Sequence, residues 1–257
     1  MGIKGKKENL GLVLSGQPLM IENMNIFITQ PKIKDIVLFG EDDFLTAVQI
    51  LTNIEQFTMM IKQGNSELNI ISDFQLLLIL IEEDFTVKKL IQDLFTLIFP
   101  EYKVKITENS IDFLLESEES SKVIERITPF NFKNLQNILN DAFIPQGDNE
   151  REPDYNPINE AAEKIAEKIK KGRQKVHAQK AAAEGPHSIY ADYCSVLSIG
   201  MHMDINIFFS YTPFQLYDSY RRFFSKEQSD FYMRISSMPL MDTSKMETPP
   251  EWNRTLY

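Results

Sequence analysis

The sequence predicts an α+β fold that is mostly helical, with small antiparallel hairpins and helices in an N-terminal domain and a small all-α, aromatic-rich C-terminal domain. Two observations carry this prediction. Apolar residues recur at spacings of three and four along much of the chain, which is the helical period. Two segments of the first half place apolar or alternating residues on both sides of a polar turn, a pattern typical of β-hairpins.

The composition favours a folded chain whose partners are proteins. Of its 257 residues, 43% are hydrophobic and 25% are charged, which is ordinary for folded domains and sufficient for one large or two small cores. The formal net charge of −10 opposes general attraction to nucleic acid or to an anionic membrane. We therefore expect protein partners and no membrane association.

The apolar runs and the cysteine content favour a cytoplasmic location. The longest apolar run, Leu76–Ile81, is far shorter than the roughly 20 residues that a membrane-spanning helix needs. The first residues lead into no signal-peptide core. A lone cysteine, Cys194, forms neither an internal disulfide nor a thiolate metal cluster, so we expect no structural zinc.

A hairpin and two helices are predicted first. Leu19–Ile21 and Ile26–Ile28 flank a polar turn and predict the hairpin. Pro31 favours the start of a short helix, which Gly40 interrupts. Apolar residues at helical spacing between residues 44 and 54 predict the second helix.

Two further helices are predicted to pack inside the same domain. Ser72 and Asp73 are candidate N-caps for a helix over Phe74–Ile81. Thr86 is a candidate N-cap for a helix over Val87–Ile98, which Pro100 ends.

The clearest hairpin and one more helix complete the predicted N-terminal domain. Residues 102–106 and 111–115 alternate apolar and polar side chains around a turn. Thr128 before Pro129 predicts an N-cap followed by a proline in the first helical position, and the amphipathic helix then ends near Phe143.

Breaks in the apolar period predict the domain organisation. An α+β N-terminal domain over 1–144 is followed by a linker over 145–157, where prolines, glycine and charges dominate. An amphipathic basic helix is predicted over 158–184, with a thin apolar stripe at spacings of three and four. A helical C-terminal domain over 185–238 and an extended tail over 239–257 complete the chain.

No pattern in the sequence assembles an active site. Nucleophile-elbow and phosphate-binding glycine motifs are missing, and the acidic triplets 41–43 and 82–84 are interpreted as a helix start and an inter-helix turn. Cys194 lies in an apolar register and is expected to be a buried small hydrophobe. Three histidines lack neighbours at metal-ligand spacing: His177, His187 and His202. We therefore predict no enzyme activity, no cofactor and no metal.

A basic segment raises the alternative of nucleic-acid binding. Residues 164–180 contain seven lysines or arginines against one glutamate, a local excess in an acidic chain. The segment lacks interleaved aromatic residues, and Glu160 and Glu163 precede it in the order that a helix dipole favours. A solvated helix face is therefore the favoured interpretation.

The aromatic run from Phe208 to Phe231 is the candidate partner-binding region. Adjacent rings such as Phe223 and Phe224 point in different directions from a helix, so some aromatic surface is expected to remain outside the core. The candidate residues lie along one helix, part of them in the core and part at the contact: Phe214, Tyr217, Tyr220, Phe223 and Phe224.

Short segments over nearly the whole chain carry a family resemblance. They are Ile33–Ile36 with Phe39–Glu41, Asn156–Ala166, Gly172–Val176, Ser195–Gly200 and Thr212–Asp218. They resemble poorly characterised proteins of tailed bacteriophages and prophages of Gram-positive bacteria, which are usually placed with the tail-assembly genes.

The resemblance implies a protein that binds other phage tail proteins. The first expectation is a chaperone for the tape-measure protein in the host cytoplasm, since an acidic partner with an aromatic groove would shield the apolar helical stripes of that protein. The alternative is a minor structural tail or baseplate component retained in the virion tail. Nucleic-acid binding is the less favoured third expectation.

Overall fold

The structure is a computed structural model, and it describes residues 4–54, 72–116, 121–143 and 188–238. Most of the elements in these ranges are helices, and the strands form one two-stranded and one three-stranded antiparallel sheet. This confirms the predicted α+β, mostly helical class. The helices are α1 (Lys4–Ser15), α2 (Ile33–Phe39), α3 (Glu41–Thr52), α4 (Asp73–Glu83), α5 (Phe85–Ile98), α6 (Phe132–Phe143), α7 (Ile189–Met201), α8 (Ile205–Phe209) and α9 (Pro213–Ser236). The strands are β1 (Leu19–Met20), β2 (Phe27–Ile28), β3 (Lys103–Ile106), β4 (Ile111–Glu116) and β5 (Ser121–Ile127).

The first hairpin forms as predicted. Strands β1 and β2 are antiparallel, with Leu19 opposite Ile28 and Met20 opposite Phe27. Leu19 and Ile28 are buried while Met20 and Phe27 are exposed, because neighbouring residues of a strand point to opposite faces. The hairpin thereby directs one apolar face into the core.

Gly40 separates α2 from α3. Its φ of 107° lies where only glycine is unstrained, and its amide N–H donates to the carbonyl of Ile36 at 2.9 Å. The acidic residues 41–43 form the first turn of α3, where the helix dipole favours negative charge. Their interpretation as a helix start is confirmed.

One helix cap is predicted correctly and one is wrong. Of the two candidates for α4, Ser72 is the cap, through a reciprocal pair of hydrogen bonds with Gln75, and Asp73 is the first residue of the helix. The cap of α5 is Asp84 rather than Thr86, because the carboxylate of Asp84 accepts from the amide N–H groups of Thr86 and Val87 at 2.8 and 3.3 Å. The acidic triplet 82–84 does lie at the junction of α4 and α5, as predicted.

The second sheet contains a strand that the sequence did not indicate. Strands β3 and β4 pair as the predicted hairpin, and β5 adds to the other side of β4. The pairing of β5 with β4 skips Ile124, and this irregularity interrupts the alternation of faces; Val123 and Ile124 are both exposed.

An ion pair between a buried carboxylate and an exposed guanidinium joins β4 to β5. Arg126 lies directly opposite Asp112 and donates to both of its carboxylate oxygens, at 2.7 and 2.9 Å. Burial raises the pKa of Asp112, but the hydrogen bonds from Arg126 and Ser110 outweigh it, so the pKa lies below its ordinary value. The carboxylate therefore stays ionised inside the sheet.

Helix α6 begins later than predicted. A turn at Thr128–Asn131 precedes it, in which the side-chain oxygen of Asn131 accepts from the amide N–H of Thr128 at 2.7 Å. Pro129 therefore lies in this turn and not in the first position of the helix. Within α6, Gln136 is buried and donates to the carbonyl of Leu51 in α3 at 2.9 Å.

The C-terminal helices pack against the N-terminal elements. The amide N–H of Ile33 donates to the carbonyl of Tyr211 at 2.8 Å, and the side chain of Gln215 donates to the carbonyl of Leu14 at 2.7 Å. Helix α9 contacts both α1 and α6, and α8 contacts α2.

The compact units therefore differ from the predicted separation into N-terminal and C-terminal domains. One unit joins Met1–Pro145 to Asp192–Tyr257, and the second spans Gln146–Ala191. Hydrogen bonds between residues far apart in sequence produce this grouping. The predicted linker 145–157, basic helix 158–184 and tail 239–257 lie outside the described residues.

Across the described ranges, no helix is both long and apolar enough to cross a membrane.

Candidate functional site

The first turn of α9 is held firmly in place. The hydroxyl of Thr212 accepts from the amide N–H of Gln215 at 3.3 Å, and the side-chain carbonyl of Gln215 accepts from the amide N–H of Thr212 at 2.9 Å. Pro213 occupies the first helical position, which its fixed φ favours. This cap fixes the direction in which the rings of α9 project.

Phe214 belongs to the core and not to the partner surface. Only 7% of its surface is exposed, and Leu216 beside it is fully buried. The sequence placed Phe214 on one stripe with Tyr217, Tyr220 and Phe224, but the helix is covered on more sides at its start than further along. Phe214 is therefore unavailable to a partner in this structure.

The remaining candidate rings gather with Tyr193 of α7. The ring of Tyr193 lies 4.4 Å from that of Tyr220 and 6.3 Å from that of Tyr217, measured between centroids. Tyr220 in turn lies 6.4 Å from Phe224, with the two ring planes nearly parallel. We call Tyr193, Tyr217, Tyr220, Phe223 and Phe224 the α7–α9 aromatic cluster.

The hydroxyl of Tyr193, at the base of the cluster, stays neutral. Burial raises the pKa of Tyr193 above its ordinary value, and the neighbouring Tyr217 and Tyr220 raise it further. The guanidinium of Arg221 lies 5.8 Å from the ring centroid of Tyr217, within the range of a cation–π contact. The cluster therefore offers ring surface with a cation at its border.

Phe223 packs against a glycine of α7. A Cβ atom added at Gly200 would collide with the Phe223 ring, so the ring occupies the space that a side chain would take. Tyr193 and Gly200 are seven residues apart and hence lie on the same face of α7. Neither Tyr193 nor Gly200 is among the site residues predicted from the sequence, although their spacing of seven residues is a signal that pairs them on one helix face.

One ring of the cluster is largely open to solvent. Phe224 is 52% exposed, whereas Tyr217, Tyr220 and Phe223 are half-buried beneath or beside it. Ile199 of α7 is 72% exposed, but it lies about 100° around the helix from Gly200, so Phe224 is the exposed anchor that the cluster offers to an apolar partner.

The groups considered for chemistry do not assemble. Cys194 is fully buried, and burial together with the charge of Glu41 raises its pKa to about 11, so the thiol is not activated. This confirms its interpretation as a buried small hydrophobe. His202 is exposed, while His177 and His187 lie outside the described residues. Among the residues that the structure describes, no group of three or more His, Cys, Asp and Glu could hold a metal ion.

Comparison with family models, with curated proteins and with solved structures finds no match to this chain.

Proposed function

We propose that this chain is a non-enzymatic bacteriophage tail-assembly protein that binds other tail proteins and acts as a chaperone for the tape-measure protein in the host cytoplasm. The observation that carries the proposal is the exposure of Phe224 beside the half-buried rings of Tyr217 and Tyr220. The family resemblance supplies the identity of the partner.

The surface that carries Phe224 is rigid. The α7–α9 aromatic cluster is held by ring contacts between two helices, and the start of α9 is fixed by a capping box. Rings fixed in this way lose little conformational freedom on binding, which favours their use as anchors. A partner helix with an apolar stripe would bury Phe224 in such a contact.

A minor structural tail or baseplate component is the alternative. It would use the same cluster for a permanent contact in the virion. Mass spectrometry of purified particles separates the two: we expect the chain to be absent from mature virions. Its presence at a fixed ratio to the tail proteins would favour the structural role.

Nucleic-acid binding remains the less favoured alternative. The net charge of −10 opposes attraction to a polyanion, and the basic segment 164–180 lies outside the described residues. Loss of tail-protein binding without loss of fold in a cluster variant would favour the proposal over this alternative.

Replacement of Phe224 by alanine is the direct test. We expect Phe224→Ala to weaken binding of the tape-measure protein by about 30-fold, because a buried aromatic anchor contributes roughly 2 kcal/mol. The thermal midpoint should stay close to that of the unchanged protein, since the ring is largely exposed. Isothermal titration calorimetry and a thermal melt measure the two quantities.

Phe130→Ala is the matched control. Phe130 is 98% exposed and lies outside the cluster, in the turn before α6. It should leave both affinity and stability unchanged. Equal binding by Phe224→Ala and the unchanged protein would refute the assignment of the contact to this cluster.

A further inference from the structure

The second half of α9 carries an apolar stripe that continues beyond the Tyr193 contact. Phe224, Phe231 and Ile235 follow at spacings of 7 and 4, and Met238 lies two residues beyond the helix end at Ser236. At about 100° per residue the three helical positions fall within about 40° of one another around the helix. Phe231 is 59% exposed, Phe224 and Met238 are exposed, and Ile235 is half-buried.

Nothing in this part of the helix is buried. From residue 226 to residue 238, all of which the structure describes, every side chain is exposed or half-buried. The last buried side chain of α9 is Ser225. The stripe is therefore available along about three helical turns.

The two edges of the stripe carry different charges. Glu227 and Arg234 lie on one edge, seven residues apart, and both are exposed. The opposite edge carries the uncharged Gln228 and Tyr232. An ion pair between Lys226 and Asp230, at 2.8 Å, lies behind this charged edge, where Asp230 is also attracted to Arg234 four residues later, and it does not enter the stripe.

We propose that a second copy of this chain binds the stripe, with the two α9 helices antiparallel and related by a two-fold axis at Phe231. An antiparallel pair brings the same edge of both helices together. Glu227 then faces Arg234 of the second copy, and the two-fold axis repeats this ion pair. In a parallel pair, Glu227 would instead face the uncharged edge of its partner.

The same axis also matches the apolar residues. Phe231 meets Phe231 of the second copy because the axis passes at this residue, and Phe224, seven residues earlier, lies opposite the C-terminal end of the second copy's α9. The charged and aromatic positions along the helix therefore match those of a second, reversed copy, as an isologous two-fold contact requires. Since the contact covers only three turns, we expect a weak dimer with a micromolar dissociation constant.

The inference stands apart from the proposed function. It needs no tail protein, although pairing would cover Phe224 and so compete with a helical partner at that ring. Sedimentation equilibrium of the full chain, from about 1 to about 200 µM, measures self-association directly. We expect a monomer–dimer equilibrium that Phe231→Asp weakens by at least about 30-fold, because it places a carboxylate at the centre of the contact.

Charge reversal tests the antiparallel arrangement. Glu227→Arg alone and Arg234→Glu alone should each weaken the homodimer by about tenfold, because each sets like charges opposite one another twice. The double variant should recover the original dissociation constant, and an equimolar mixture of the two single variants should form a heterodimer. An exposed-site control, Leu38→Ala on α2, should leave the dimer unchanged.

Two results would overturn the inference. One is a monomer at every concentration tested. The other is a dimer that Phe231→Asp does not weaken. A mixture of Glu227→Arg and Arg234→Glu that associates no more tightly than either variant alone would count in the same way, because association would then use another surface. If self-association fails while Phe224→Ala still loses the tape-measure protein, only this inference is withdrawn.

Discussion

The two halves of α9 carry the same kinds of side chain in different surroundings. In the first half Phe214 is buried, and Asp218 is buried with its carboxylate 2.9 Å from Arg222. In the second half Phe231 is exposed, and Asp230 pairs with Lys226 in solvent. The presence of an aromatic ring, or of an ion pair between residues four apart, therefore does not show by itself whether a helix face belongs to the core or to the surface.

The difference lies in what contacts each half. Helix α9 meets α1 and α6, and the Gln215 side chain donates to the carbonyl of Leu14 in its first turn. The rings from Tyr217 to Phe224 meet α7 through Tyr193 and Gly200. Beyond Ser225 the described side chains of α9 are exposed or half-buried. A helix whose surroundings change along its length supports stability at one end and offers a surface at the other.

Alanine at Phe214 and at Phe231 should separate the two halves most strongly. Phe214→Ala is expected to lower the free energy of unfolding by about 3–5 kcal/mol, because it removes a buried ring and leaves a cavity. Phe231→Ala should change it by less than about 0.5 kcal/mol, as is usual for exposed positions. Urea unfolding followed by circular dichroism measures both, at a concentration where the protein is monomeric. Similar losses for both variants would mean that the second half is also packed.

Gly200 tests the boundary between the halves. Alanine is normally the better helix former by up to about 1 kcal/mol, but a Cβ atom at this position collides with the Phe223 ring. We expect Gly200→Ala to cost about 1–3 kcal/mol, the range of overpacked contacts. Thermal and urea unfolding of the single variant and of Gly200→Ala combined with Phe223→Ala measure the effect.

Gly11 supplies the matched control for this change. It lies in α1, and a Cβ atom there would meet no atom within 4 Å. Gly11→Ala should therefore be neutral or stabilising. If Gly200→Ala behaves in the same way, or if adding Phe223→Ala brings no partial recovery, then the Phe223 ring does not need the space at Gly200.

Local signals predicted most of the elements correctly. The first hairpin, α3 with its acidic start and the Ser72 cap each depend on residues close together in sequence, and each forms as predicted. The cap of α5 was wrong because Asp84 and Thr86 are both good capping residues. Only the geometry shows which oxygen reaches the free amide groups.

Features that depend on distant residues could not be predicted. The grouping of the C-terminal helices with the first 145 residues rests on contacts such as Gln215 with Leu14. The burial of Phe214, against the exposure of Phe224, follows from the same packing. Helical periodicity placed both rings on one stripe, but it carries no information on which neighbours cover each turn.

The smallest predicted effect is a change in the pKa of Asp230, in the exposed second half of α9. The hydrogen bond from Lys226 lowers the pKa of Asp230 below its ordinary value. A folded-state pKa that is depressed stabilises the folded protein above the unfolded pKa, near 3.9, and this stabilisation is lost as the pH falls through the folded value.

Lys226→Gln should therefore raise the pKa of Asp230 towards its ordinary value, as measured by NMR titration of its side-chain carboxyl carbon. High salt should have a similar effect in the unchanged protein. The pKa of Asp112 should respond less, because its carboxylate is buried and also accepts a hydrogen bond from the uncharged Ser110 hydroxyl, which salt does not screen. An Asp230 pKa that is insensitive to both changes would show that the Lys226 contact does not form in solution, and that this side of α9 is shaped by something other than its own ion pair.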